Sequence, residues 1–178
     1  MKTQLKTTVT AAVLGALSVA LVLFTRIPMF TDFLEFELSD TPIFITTLLF
    51  GPVYGLISTV AVSIIQGFTV SAHSGLIGII MHIFATGSFV LVFGLYCKKI
   101  KTTDKVIAGL TLGCLTMTAT MVCWNLLVVP FYNGVPVQAV AEMLLPVFIP
   151  FNLIKSGANA CVTFAIYKTI YSAIKKYL

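Results

Sequence analysis

The sequence predicts an all-α integral membrane protein with about six transmembrane helices. Composition is the first observation behind this. The 178 residues are 58% hydrophobic and 10% charged, with a mean hydropathy of +1.05. A soluble domain carries roughly 25% charged residues, so these few charges cannot solvate a soluble surface. The second observation is the recurrence of apolar runs of about 20 residues, each long enough to cross a hydrocarbon core as helix. The third is the lack of period-two alternation in those runs. Helices and closed barrels are the structures that satisfy their backbone groups in lipid, and barrel strands alternate.

Helix 1 is expected over roughly Thr7 to Thr25. Its apolar stretch is long for a signal peptide, and Arg26-Ile27-Pro28 is not a small-residue cleavage site, so the segment is expected to be retained. A polar loop, Arg26 to Ser39, follows. Asp40-Thr41-Pro42 then reads as a helix start with Asp40 as cap. Helix 2 ends at Phe50 and is too short for a vertical span. Gly51-Pro52 breaks the run and opens helix 3, to about Val70. Ser71 to Ser74 is a short loop, and helix 4 runs from Gly75 to Tyr96. After a basic loop, helix 5 covers about Val106 to Val129. Pro130 to Pro136, with Asn133-Gly134, is turn-rich. Helix 6 runs from about Met143 to Tyr167, interrupted by Pro146 and Pro150. Residues 1–178 read as one transmembrane domain without repeats.

Charge sets the expected topology. With six crossings, Lys2, Lys6, Lys98, Lys99, Lys101, Lys105, Lys168, Lys175 and Lys176 fall on one side, and Arg26 on the other. Asp32, Glu35, Glu37, Asp40 and Glu142 accompany Arg26. Lysine and arginine near helix ends favour the cytoplasm, so both termini are expected inside. The net charge of +5 is then a topology signal and implies no nucleic-acid partner.

Polar residues inside the helices carry the functional signal. A lysine at the centre of a membrane helix costs roughly 2.5–3.5 kcal/mol on insertion scales. Lys155 should therefore face a cavity or a partner. Asn152 and Asn159 lie three and four residues away, on the same helical face. Asparagines often join membrane helices to one another. No acid in the membrane core is available to neutralise Lys155, which favours a ligand role for Lys155 and Asn152. Asn125, beside an interfacial Trp124, reads equally as a pocket residue. His82 and Gln66 read first as satisfied packing residues and second as ligand contacts. Ala12, Ala16 and Ala20 form a small-residue stripe on helix 1, with Ala11 and Gly15 beside it. Contact within the monomer and docking of another membrane subunit are both open for that stripe.

Enzyme signatures are absent. The chain has no GxxxxGK[ST] loop, no HExxH and no GxSxG, and 2 histidines in all. No metal site and no cofactor are expected. Cys97, Cys114, Cys123 and Cys161 lack CxxC spacing and read as buried small hydrophobes. No carboxylate sits well inside a helix, which disfavours a proton-coupled carrier.

Phe36-Glu37-Leu38-Ser39-Asp40-Thr41-Pro42, with Leu49-Phe50-Gly51-Pro52-Val53-Tyr54-Gly55, resembles the loop 1 and helix 2–3 signature of riboflavin-specific S components of energy-coupling factor (ECF) transporters. Ser74-Gly75-Leu76-Ile77-Gly78, with Ala85-Thr86-Gly87, resembles their helix 4 signature. Pro150-Phe151-Asn152-Leu153-Ile154-Lys155 resembles that of helix 6. The resemblance covers nearly the whole chain. It implies an S-component-like bundle in the bacterial plasma membrane that binds riboflavin near its outer face. It also implies a transmembrane coupling subunit and two ATPase subunits as partners, with ATP used by those partners. Asn152 and Lys155 match the family's flavin contacts, and Asn125 its helix 5 asparagine. Ala12, Ala16 and Ala20 match its docking motif. His82 is a departure, since many members carry asparagine there. Riboflavin has no phosphate, so one lysine suffices for it. The alternatives are an S component for another vitamin or precursor, and a non-transporting membrane scaffold.

Overall fold

The computed structural model describes residues 2–70, 75–98 and 102–174. The loop expected at Ser71 to Ser74, and Lys99, Lys101, Lys175 and Lys176 of the charge argument, lie outside the described residues.

The chain folds as a helical bundle with one small hairpin. The helices are α1 (Lys2–Thr25), α2 (Asp40–Phe50), α3 (Pro52–Phe68), α4 (Gly75–Tyr96), α5 (Thr103–Asn133), α6 (Val137–Met143) and α7 (Ile149–Ile174). A π-helical turn, Leu144–Phe148, joins the last two. Strands β1 (Ile27–Met29) and β2 (Thr31–Phe36) pair antiparallel, Ile27 opposite Phe36. The hairpin stands where the sequence suggested only a polar loop.

Among the described residues, four segments are long and apolar enough to cross a membrane: Gln4–Thr25, Gly75–Tyr96, Thr103–Tyr132 and Val137–Thr169. Helices α2 and α3 are shorter, at 11 and 17 residues. At 1.5 Å per residue α2 reaches about 16 Å, half a hydrocarbon core. It is a buried strut, with Asp40 through Leu48 all enclosed. Helices α1, α3, α4 and α7 pack around it. Phe44 of α2 stacks on Phe89 of α4, ring centroids 3.7 Å apart. Tight packing needs small residues here. A Cβ on Gly94 would sit 2.9 Å from the Pro52 Cα, so a side chain there would push α3 off α4.

Several boundaries move. Asp40 does not cap α2. It is the first helical residue, after Ser39, and its carboxylate turns into the bundle. Helix α5 continues through Pro130 to Asn133 and ends where Gly134 adopts φ 64°. Membrane helices accommodate a proline because local adjustment and neighbouring groups re-satisfy the freed backbone. The left-handed glycine, rather than Pro130, is the stop signal. Pro146 sits in the π-helical turn and Pro150 in the first turn of α7, so the interruption of the last span falls before α7. Cys97 is buried, but Cys123 and Cys161 lie on the exposed outer surface. In a membrane bundle that surface is apolar, and a small thiol is as much at home there as in the core.

Candidate functional site

Helices α3, α4, α5 and α7 and the hairpin enclose a cavity of about 310 Å³. That is within the roughly 300–1,000 Å³ of small-molecule sites. Lys155, Asn152, Asn125 and His82 all line it. The periodicity of α7 puts Asn152 and Lys155 on one face, and Phe151 beside them supplies apolar wall. Trp124 of α5 also lines the cavity, its ring centroid 5.6 Å from that of Phe84. It is a wall residue, not only an interfacial anchor. Leu34, Glu35 and Glu37 line the hairpin end.

Lys155 does have an acid. Its Nζ donates to a Glu37 carboxylate oxygen at 3.2 Å and to the Glu35 carbonyl at 3.2 Å. The acid was not visible as a partner because it is 118 positions away and belongs to a loop that folds inward. Glu37 is buried, and Ser39 Oγ donates to the same carboxylate oxygen at 3.2 Å. Arg26 pairs with the Glu35 carboxylate and donates to the Val70 carbonyl at 2.6 Å. These bonds pin the hairpin across α3 and α7.

A second buried charge lies behind the wall. Asp40 is fully enclosed, and its Oδ1 accepts from Thr86 Oγ1 at 2.9 Å and pairs with His82 Nε2 at 3.1 Å. His82 Nδ1 is 2.7 Å from Ser63 Oγ. Both ring nitrogens are therefore engaged by protein, and His82 offers the cavity its ring surface. Carboxylates do enter the bundle, contrary to the sequence expectation, because α2 begins inside it.

Asn159 faces away from the cavity. Its Oδ1 accepts from the Thr41 backbone N–H and from Thr41 Oγ1, each at 2.9 Å, and its Nδ2 donates to the Glu37 carbonyl at 2.8 Å. It ties α7 to the start of α2. Asn152 Nδ2 donates to the Phe148 carbonyl at 2.8 Å, which leaves its Oδ1 for other partners. Asn125 Nδ2 and Gln66 Nε2 are buried without a hydrogen-bond partner among the described residues. The polar donors of the wall are thus few and placed, among apolar neighbours. No group of three or more His, Cys, Asp or Glu side chains able to hold a metal occurs among the described residues.

On α1, Ala12 and Ala16 are exposed and Ala20 is half-buried. The inward face of that helix carries Ala11, Ser18 and Val22 instead. The alanine stripe is therefore not used in packing within the monomer over most of its length.

Residues 6–167 match the model of the family described as ECF transporter, substrate-specific component. The chain is 23% identical over 184 residues to the riboflavin transporter FmnP of Bacillus subtilis, covering 98% of this chain and 95% of that one. It is 29% identical over 177 residues to the riboflavin transporter RibU of Streptococcus thermophilus, covering 94% and 82%. Among solved structures, one described as the S component of a bacterial ECF transporter superposes with a TM-score of 0.82 at 26% identity, over 97% of this chain and 99% of that one. The biotin S component of an ECF-type ABC transporter shares the fold, with a TM-score of 0.63 at 21% identity over 94% and 93%. With a bundle of this architecture and a family match across nearly its whole length, the chain belongs to the substrate-specific (S) components of ECF transporters.

Proposed function

We propose that this S component captures riboflavin in the cavity under the hairpin and mediates its uptake with an energy-coupling module. The observation that carries the reading is the near full-length similarity to riboflavin transporters, joined to a cavity whose chemistry suits a flavin. Isoalloxazine is a flat aromatic body with a polar edge of carbonyls and ring nitrogens. Trp124, Phe151 and Met121 offer the apolar wall, and Asn125, Asn152 and Lys155 the donors and acceptors for that edge. Arg26 and Lys155 are already paired with Glu35 and Glu37, which leaves neither cation free for a flavin phosphate. His82 holds its ring against the cavity through Asp40 and Ser63.

The hairpin end of the bundle faces outward in this reading, because Lys98 and Lys105 lie at the opposite end and positive residues favour the cytoplasm. Riboflavin enters from outside, and the protein itself performs no chemistry on it. The coupling subunit docks on the exposed alanine face of α1, and two ATPases supply the energy. Ala16→Trp places a bulky ring on that face. It is expected to leave riboflavin affinity within about twofold of wild type, as surface substitutions do, and to abolish uptake in cells that carry the coupling module. Uptake at the wild-type rate would remove this docking face from the proposal.

Riboflavin titration of the detergent-purified protein tests the proposal. Trp124 is the chain's 1 tryptophan and it lines the cavity, so its fluorescence reports on the site directly. Saturable quenching with one-site stoichiometry is expected. A folded protein that shows none would overturn the proposal.

A further inference from the structure

The cavity has two polar walls. One, on α5 and α7, carries Asn125, Asn152 and Lys155, and the flavin ring edge is assigned to it above. The other, on α3 and α4, carries Ser63, Gln66 and His82. On this second wall most hydrogen-bonding capacity is already used. Ser63 Oγ donates to the Thr59 carbonyl at 2.6 Å and contacts His82 Nδ1, and His82 Nε2 contacts Asp40. Gln66 differs. It is 5% exposed, it lines the cavity, and its Nε2 has no partner.

An unpaired buried amide costs about 1–3 kcal/mol, and an apolar side chain at this position would avoid that cost. The neighbouring packing is close. A Cβ on Gly67 would collide with the Ile79 side chain, so α3 and α4 are pressed together beside the amide. Gln66 lies one turn or less from the end of α3 at Phe68, and the Val70 carbonyl beyond it binds Arg26 at the base of the hairpin. The amide thus lies on a different wall of the cavity, on α3, from the ring-edge groups on α5 and α7.

A primary amide has one acceptor and two donors side by side. A carbonyl of a ligand would use only its donors, and a cation only its acceptor. A vicinal diol uses both, since one hydroxyl can donate to Oε1 while the next accepts from Nε2; the flavin's N–H and carbonyl edge would also use both, but that edge is assigned to the other wall. Riboflavin carries such a diol group, the ribityl chain, on N10 of its central ring, apart from the pyrimidine edge that bears the carbonyls and the N–H. We propose that Gln66 is a specificity-determining residue that binds hydroxyls of the ligand's polyol chain. This rests on the riboflavin reading of the cavity.

The test compares riboflavin with lumiflavin, which has the same ring system and a methyl group in place of the ribityl chain. Each is titrated against wild type and against Gln66→Met, which keeps length and removes the amide. For Gln66→Met the riboflavin Kd is expected to rise about five- to thirtyfold, the size of a lost buried hydrogen bond, with the lumiflavin Kd unchanged. Unchanged lumiflavin binding also demonstrates an intact fold. Equal losses for both ligands, or none for riboflavin, would overturn the inference. If Gln66→Met does not fold, wild type alone remains decisive in one direction: equal affinity for the two flavins leaves no polyol contact for Gln66 to make. A folded wild type that binds neither flavin removes the riboflavin reading itself, a different outcome from a failed Gln66.

Discussion

Lys155→Ala is expected to weaken riboflavin binding at least about thirtyfold and to lower thermal stability at the same time. The affinity loss follows from removing a charged hydrogen-bonding group from a largely desolvated wall, worth about 2 kcal/mol or more. The stability loss follows from Glu37. Glu37 is 6% exposed, and its carboxylate takes its charge partner from Lys155. Removing one member of a buried ion pair leaves an uncompensated charge, typically at a cost of about 3–5 kcal/mol. The two effects separate in a double variant. Lys155→Ala with Glu37→Gln has no orphan charge and should regain most of the lost stability, read by thermal unfolding in detergent without ligand. Its affinity should stay low. Recovery of affinity together with stability would mean that Lys155 acts only by neutralising Glu37, and would take it out of the flavin site.

Asn159→Leu is expected to be mainly a folding defect. The side chain holds the Thr41 N–H, the Thr41 hydroxyl and the Glu37 carbonyl, all buried. Leucine is of similar size, so packing changes little while the Glu37 carbonyl loses its partner and the Thr41 hydroxyl keeps only its long 3.4 Å bond to the residue 159 carbonyl. At about 1–3 kcal/mol for a buried group left unsatisfied, and part of that for the weakened hydroxyl bond, a loss of roughly 2–4 kcal/mol follows. The Thr41 N–H keeps a weaker bond to the Leu38 carbonyl at 3.3 Å, which limits the damage. Riboflavin affinity should fall less than in Lys155→Ala, because Asn159 acts on the cavity only through the segment that carries Glu37. A stable variant with a large affinity loss would instead make Asn159 a direct ligand contact.

The contrast between Asn152 and Asn159 illustrates how far sequence spacing reaches. Both are one helical turn from Lys155, and spacing alone gives them one face. A face of a helix is about 100° wide, and two neighbours can share it. Asn152 meets the cavity and Asn159 meets α2. The same limit applies to α1, where Ala11 is buried and Ala12 exposed, one residue apart.

Membrane insertion and helical class were legible in the sequence, because a bilayer imposes length and polarity on every segment separately. That constraint is local, and helix α4 matches its expected bounds of Gly75 and Tyr96. The polar residues worth attention were legible for the same reason: a lysine within an apolar helix is expensive wherever it points. Their partners were decided by tertiary structure. Glu37 reaches Lys155, and Asp40 reaches His82, only because a loop and a half-length helix fold into the bundle. The extension of α5 past Pro130 to the left-handed Gly134 was likewise not fixed by the proline signal. Hydropathy records what each residue costs in lipid, one position at a time. Which groups offset that cost for one another is a property of contacts across 42 positions for Asp40 and His82 and 118 for Glu37 and Lys155, and only the packed fold specifies those.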